Sequence, residues 1–252
     1  MLGPVNGRLR VLCLMMAAGL GCSPRGPSEL KVSAAMSLKE AFTEFEGAFE
    51  GRHPEVDVVF NFAGSQTLSA QIVEGAQVDV FASADAVQMQ RAIGSGRIRK
   101  AQAFATSRLV LITPDDNPGK VMDVGDLARP GVRLVLGGPT SPTGAYAREA
   151  LAQLGISERA LANVVSNEEN VRGVVGKVAS GEADAGIVYV TDVTPAVAAK
   201  LRQIALKVAV TPRYEVAILK DNLHPPLARL FVEELMGLDG QATLGRHGFL
   251  PP

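Results

Sequence analysis

The sequence predicts an α/β protein of two lobes, each a mainly parallel sheet flanked by helices, with a ligand cleft between them. Three observations lead there. Strand-like and helix-like stretches alternate β-α-β-α-β across residues 29–82, the pattern of a parallel sheet with helices on its faces. A second alternation of the same kind follows. An apolar stretch, Tyr214–Leu219, then returns the chain to the first group. Lobe I accordingly takes residues 29–108 plus 213–252 and lobe II takes 109–212, with crossovers near 108 and 212. The 252 residues, 47% of them hydrophobic and 20% charged, suffice for one large domain or two small ones.

Element by element, Glu29–Ala34 reads as a strand. Ser37 stands three residues before Glu40, the spacing of a capping box. Leu38, Ala41, Phe42, Phe45, Ala48 and Phe49 follow at helical intervals, and Gly51 and Pro54 stop the helix. Val56–Phe60 alternates as a strand. Ser65 opens a helix that carries Leu68 and Ile72 on one face and ends at Gly75, and Val78–Ala82 is the third strand.

Leu109–Thr113 is a strongly apolar strand ended by Pro114, and Val132–Leu136 is the next. The glycine- and proline-rich loop Gly137–Gly144 leads to a helix over Ala145–Leu154. Asn163–Val165 reads as a strand, Asn170 or Val171 starts a helix, and Gly186–Val190 and Gln203–Val210 read as strands. Pro225–Gly237 is an amphipathic helix followed by a tail through Phe249.

The N-terminus carries its own signal. Arg8 and Arg10 precede an apolar run, Val11–Leu20, and then Gly21-Cys22-Ser23-Pro24. A basic start, a short apolar core and a small residue before a cleavage point describe a secretory signal over residues 1–21, followed by a tether over 22–28. The run is about half of the roughly twenty residues that span a bilayer. Both cysteines, Cys13 and Cys22, fall here, so the mature part has no disulfide framework. Cys22 resembles the lipidated cysteine of bacterial lipoproteins, although Gly19 stands where that motif prefers Leu.

Two serines stand where a strand ends and a helix begins: Ser37 and Ser65. A hydroxyl there lies beside backbone N–H groups without intrahelical partners, at the positive pole of the helix dipole. Such an end suits an anion, and ligands of parallel sheets gather where strands end and helices start. A simple cap accounts for either serine alone; two at equivalent strand ends point to a shared site for a small oxyanion.

Signals of catalysis are missing. The three histidines, His53, His224 and His247, each lie in a turn or tail beside Pro or Gly and are expected at the surface. None has metal-ligand spacing, and no cysteine follows Cys22 to act as a nucleophile. The Gly137–Gly144 loop lacks the lysine of a P-loop and the spacing of a dinucleotide fingerprint. A formal net charge of −1 gives no support to a nucleic-acid partner. No catalytic residue and no cofactor is expected.

Several blocks occur in a telling order: Ala35-Met36-Ser37-Leu38, Phe62-Ala63-Gly64-Ser65-Gln66-Thr67-Leu68, Asp79-Val80-Phe81-Ala82-Ser83-Ala84-Asp85, Pro142-Thr143-Gly144-Ala145-Tyr146-Ala147, Asn170-Val171-Arg172 and Gly186-Ile187-Val188-Tyr189. Together they resemble the periplasmic molybdate-binding proteins of bacterial ABC transporters, across residues 29–252. The resemblance implies the two-lobe periplasmic-binding-protein fold (type II) and a non-enzymatic role. It implies a site in which Ser37 and Ser65 give hydroxyl and backbone donors, Thr143 and Val171 give backbone N–H, and Tyr189 gives its hydroxyl. Molybdenum would be bound as molybdate, or tungsten as tungstate, without direct metal ligands. The implied partners are a membrane permease and its ATPase. The protein would act as a monomer in the periplasm or at the envelope surface, held by a lipid on Cys22.

The chain departs from the pattern in places. Thr143 replaces an alanine, which matters little if only its N–H is used, and Gly64 and Gln66 flank Ser65 where other members carry serines. Asp79, Asp85 and Arg172 match the family and read as framework. The competing readings are a receptor for another small oxyanion such as sulfate, and an extracytoplasmic enzyme or sensor on the same fold. An enzyme would need an acid–base pair in the cleft. A sensor would need an output domain, which is not expected after Phe249.

Overall fold

The computed structural model describes residues 27–252, with Met1 and Gly3. Nearly all of the expected signal segment, most of the tether and Cys22 lie outside the described residues.

The chain opens with β1 (Ser28–Ala35), a 3-10 turn over Met36–Leu38 and α1 (Lys39–Arg52), followed by β2 (Val56–Ala63), α2 (Ser65–Val73) and β3 (Val80–Ser83). Two elements absent from the sequence reading come next, α3 (Ala86–Gly94) and β4 (Ile98–Thr106). The second group holds β5 (Leu109–Pro114), β6 (Leu134–Gly137), α4 (Pro142–Gln153), α5 (Ser157–Leu161), β7 (Val164–Glu168), α6 (Val171–Ala179), β8 (Ala185–Tyr189), α7 (Pro195–Ala198) and β9 (Leu201–Ala205). The chain finishes with β10 (Arg213–Leu219), α8 (Pro225–Met236) and α9 (Leu238–Arg246).

Two five-stranded sheets result, ordered β2-β1-β3-β10-β4 and β7-β6-β8-β5-β9. In the first, β1, β2 and β3 pair in parallel while β10 runs antiparallel to both β3 and β4. In the second, β6, β7 and β8 pair in parallel while β5 runs antiparallel to both β8 and β9. Each sheet therefore has four strands in one direction and one reversed. The reversed strand is in both cases the first one laid down after a crossover. The two crossing segments touch: the Ser107 N–H donates to the Pro212 carbonyl at 3.0 Å.

Packing follows the apolar periodicity. Phe42, Phe45 and Phe49 on α1 are buried against Phe231 of α8, with ring centroids 6.2, 5.2 and 5.4 Å away. On the other face of the first sheet, Leu68 and Ile72 of α2 and Met89 of α3 cover Phe81 and Leu219. The second sheet has one core, with Leu134, Val174, Val178 and Ile187 at its centre.

Several sequence expectations need correction. Ser37 and Glu40 form no capping box, because α1 starts at Lys39 behind a 3-10 turn and no side chain caps it. The strand expected over Gln203–Val210 ends at Ala205. The C-terminal tail is a helix, α9, which packs closely on α8; a Cβ at Gly240 would sit 2.4 Å from the Leu235 carbonyl oxygen. Among the described residues no helix is long and apolar enough to cross a membrane.

Candidate functional site

Four helix starts converge where the two lobes face each other. The first is the 3-10 turn ahead of α1, which brings Ala35, Met36 and Ser37; α2 brings Gly64, Ser65 and Gln66. From the other lobe, α4 brings Ser141, Pro142 and Thr143, and α6 brings Asn170 and Val171. Tyr189, the last residue of β8, completes the lining, and the cavity has a volume of about 20 Å³. Ser37, Ser65, Thr143, Val171 and Tyr189 all line it, and each is at most 5% exposed.

Neither serine caps its helix. Ser65 is the first residue of α2, behind an N-cap at Gly64, and its Oγ accepts the Ala84 N–H at 3.0 Å. The Ser37 Oγ accepts the Tyr214 hydroxyl at 3.1 Å. A hydroxyl has one proton and two lone pairs. With a lone pair already engaged in each case, the proton of each serine remains to be donated.

Opposite, the helix starts are arranged to leave particular amides unused. Ser141 caps α4 by accepting the Gly144 N–H at 3.1 Å, and Pro142 has no N–H, so Thr143 carries the first amide without a partner among the described residues. Asn170 caps α6 by accepting the Arg172 N–H at 3.0 Å, which leaves the Val171 amide in the same condition. Arg148 stitches this floor together with bonds to the carbonyls of Gly137 and Gly144 at 2.8 and 2.9 Å. The Tyr189 hydroxyl is buried and unpartnered among the described residues, and burial pushes its phenol well above the ordinary tyrosine range, so it stays a donor.

The electrostatics come from dipoles. Among the described residues no lysine, arginine or histidine lines the cavity, and the one charged residue that does, Glu169, is exposed at the rim. There the lobes touch: Gln66 Nε2 donates to the Glu169 carbonyl at 2.6 Å, and the Thr67 hydroxyl donates to the Glu169 carboxylate at 3.0 Å. Gln88 Nε2 reaches the Thr140 carbonyl at 3.0 Å, and Arg172 forms an ion pair with Glu40. Gly64 makes the rim contact possible, since a Cβ there would lie 2.8 Å from the Glu169 carbonyl oxygen.

Of the residues read as framework, Asp79 and Asp85 make framework bonds, whereas Arg172 pairs with Glu40 across the rim. Asp79 accepts the Lys31 and Leu223 amides at 2.8 and 2.9 Å, and Asp85 caps α3 through the Gln88 N–H at 2.8 Å. His53 and His247 are half-buried, bonded to Glu234 and Glu44 away from the cavity. Tyr214, Ser141 and Asp192 were not singled out from sequence. The Ser-Pro-x-Gly run at 141–144 was a readable cap signal, whereas Tyr214 meets Ser37 across 177 positions and nothing local announces it.

Comparison with known proteins bears on this geometry. The family described as bacterial extracellular solute-binding protein matches residues 30–250. The chain is 38% identical to the molybdate-binding protein ModA of Mycobacterium tuberculosis (strain ATCC 25618 / H37Rv), over 94% of this chain and 95% of that protein. Among solved structures, the periplasmic molybdate-binding protein of Azotobacter vinelandii is 25% identical with a TM-score of 0.77, covering 88% of this chain and 99% of that one. The sulfate-binding protein SubI from Mycobacterium tuberculosis H37Rv has a TM-score of 0.79 at 16% identity, covering 89% of this chain and 87% of that one, a likeness of fold alone.

Proposed function

This chain belongs to the bacterial extracellular solute-binding proteins and, among them, to the molybdate-binding family of ABC transporters, and from that premise we propose that it captures molybdate outside the cytoplasm and hands it to a membrane permease. The observation that carries this reading is the donor set of the cavity: two serine hydroxyls with free protons, the Thr143 and Val171 amides, and the Tyr189 hydroxyl, with no cation beside them. A tetrahedral dianion held there gives up its water and receives neutral donors. Hydrogen bonds to an ion are about twice as strong as neutral ones, so several together offset the desolvation. The helix starts add the field of four N-termini.

The same set selects among anions. Near neutral pH phosphate carries a proton that needs an acceptor, and among the described residues the only carboxylate at the cavity is Glu169, exposed and already bonded to Thr67. Sulfate has the charge and shape of molybdate but is smaller, so donors set for the larger ion stretch their bonds to it. Tungstate is nearly the same size and binds about equally. Titration calorimetry with the four anions tests this, and sulfate outcompeting molybdate would sink it. A ligand at a hundred times its Kd stabilises the folded state by about 2.7 kcal/mol, which for a chain of this size raises Tm by roughly 5–10 °C. An unchanged Tm in saturating molybdate counts equally against the assignment.

Delivery requires the lobes to move about the two crossovers, and the closed form, with Gln66, Thr67 and Arg172 joined across the rim, is the form a permease would recognise. The secretory signal and a lipid on Cys22 complete the proposal for an envelope location. Mass spectrometry of the mature N-terminus tests both.

A further inference from the structure

We propose that Tyr214 is a positioning residue of the anion site: its hydroxyl fixes the proton of Ser37 toward the ligand, and its ring braces Tyr189 from the opposite side. This rests on the molybdate reading above and deepens it.

Ser65 and Ser37 need the same service. A serine hydroxyl turns freely about its Cβ–Oγ bond, and it donates in a chosen direction only when something occupies a lone pair. For Ser65 the backbone supplies that partner, the Ala84 N–H at 3.0 Å. For Ser37 no backbone group does so; the only partner of its Oγ among the described residues is the Tyr214 hydroxyl at 3.1 Å. Tyr214 thus does for one serine what an amide does for the other.

The phenol is held for this task. Tyr214 is fully buried, on β10, two residues past the crossover at 212. Its ring packs edge-on against Phe249 at 5.1 Å and Phe104 at 6.2 Å, which holds the side chain in place, and its hydroxyl donates to Ser37. Burial pushes the phenol well above the ordinary range, so it keeps the proton it donates. The same ring lies 5.8 Å from that of Tyr189, at 64°, so one side chain from the hinge strand touches a donor from each lobe.

The test is a double-mutant cycle read by titration calorimetry with molybdate on the full mature chain. Tyr214→Phe keeps the ring and removes the hydroxyl; it is expected to weaken molybdate binding about tenfold while Tm without ligand stays near wild type. In a Ser37→Ala background the same substitution is expected to change Kd less than twofold, because the hydroxyl it removes acts only through Ser37. A merely structural role would lower affinity equally in both backgrounds, and that result overturns the proposal, as does a Tyr214→Phe protein that binds within twofold of wild type. If the phenylalanine variant folds poorly, Tyr214→Met removes hydroxyl and ring together: its loss of affinity is expected to shrink, without vanishing, in the Ser37→Ala background, and an equal loss in both backgrounds overturns the proposal. A wild-type chain that gives no heat with molybdate overturns the functional reading and this inference together. Intact wild-type binding with an additive cycle overturns this inference alone.

Discussion

Asp192 lies directly behind Tyr189: its Oδ2 accepts the Tyr189 N–H at 3.1 Å, while its Oδ1 is buried and unpartnered among the described residues. Burial pushes this carboxyl up to about 7 against the pull of Arg172 and the Tyr189 amide, with Glu40 pushing the same way as burial. The folded chain therefore holds a proton that the unfolded chain releases near 3.8, so stability falls as pH rises from about 4 to about 7 and is flat above. Three units correspond to about 4 kcal/mol. Asp192→Asn keeps an acceptor for the Tyr189 amide and removes the charge. Urea unfolding at pH 5 and pH 8 is expected to show a steep loss for the wild type and a much smaller one for the variant, which is the more stable protein at pH 8. Equal slopes would refute the assignment. Asp85, pushed by burial to about 6, retains part of the slope in the variant. At this scale the sequence was a fair guide to which residues meet and a poor one to what their atoms do. Ser37 and Ser65 stand at helix starts as their neighbours implied, yet both Oγ atoms turn to partners outside their helices, and such distant partners leave no mark in a local pattern.

Among the elements, α4 and the loop before it form the tightest construction at the site. Gly144 fits because it has no side chain: a Cβ would lie 2.0 Å from the Gly138 carbonyl oxygen and 2.3 Å from that of Gly137. Gly144→Ala is expected to destabilise the chain by about 3 kcal/mol and to abolish anion binding, whereas Ser141→Ala, which loses the cap and the bond of its hydroxyl to the Gly138 carbonyl, costs about 1–2 kcal/mol. Chemical denaturation of the two variants checks the order, and a reversed order would refute it. The central strands were legible because burial on both faces makes them apolar runs, as in Leu109–Thr113 and Gly186–Tyr189. β4 escaped notice because it is an edge strand whose exposed Arg99 and Lys100 break the apolar pattern. α9 escaped because Gly240 and Gly245 lower its helical character, and tertiary contacts with α8, with Glu44 of α1 and with the Phe104 carbonyl hold it in place.

The whole molecule is a doubled plan. Strand for strand the sheets have the same order, and equivalent positions carry the same devices. Asp79 accepts the Lys31 amide at 2.8 Å and Asp184 accepts the Arg133 amide at 2.8 Å, each at the edge of its central strand. The lobes meet through few polar contacts, of which Gln66 to Glu169 closes the rim. Gln66→Ala is expected to speed molybdate release about tenfold in stopped-flow experiments, with stability in the absence of ligand changed by less than about 0.5 kcal/mol. An unchanged off-rate would remove Gln66 from the closing contact. The placement of β10 between β3 and β4 also sets a timetable. A chain emerging from its N-terminus makes β1 to β4 first, but β4 has no neighbour until residues 213–219 exist. All strands of the second sheet are complete once residue 205 is made. The portion begun second is thus the first able to finish, and the older portion must wait, with an unpaired edge, for the chain's return.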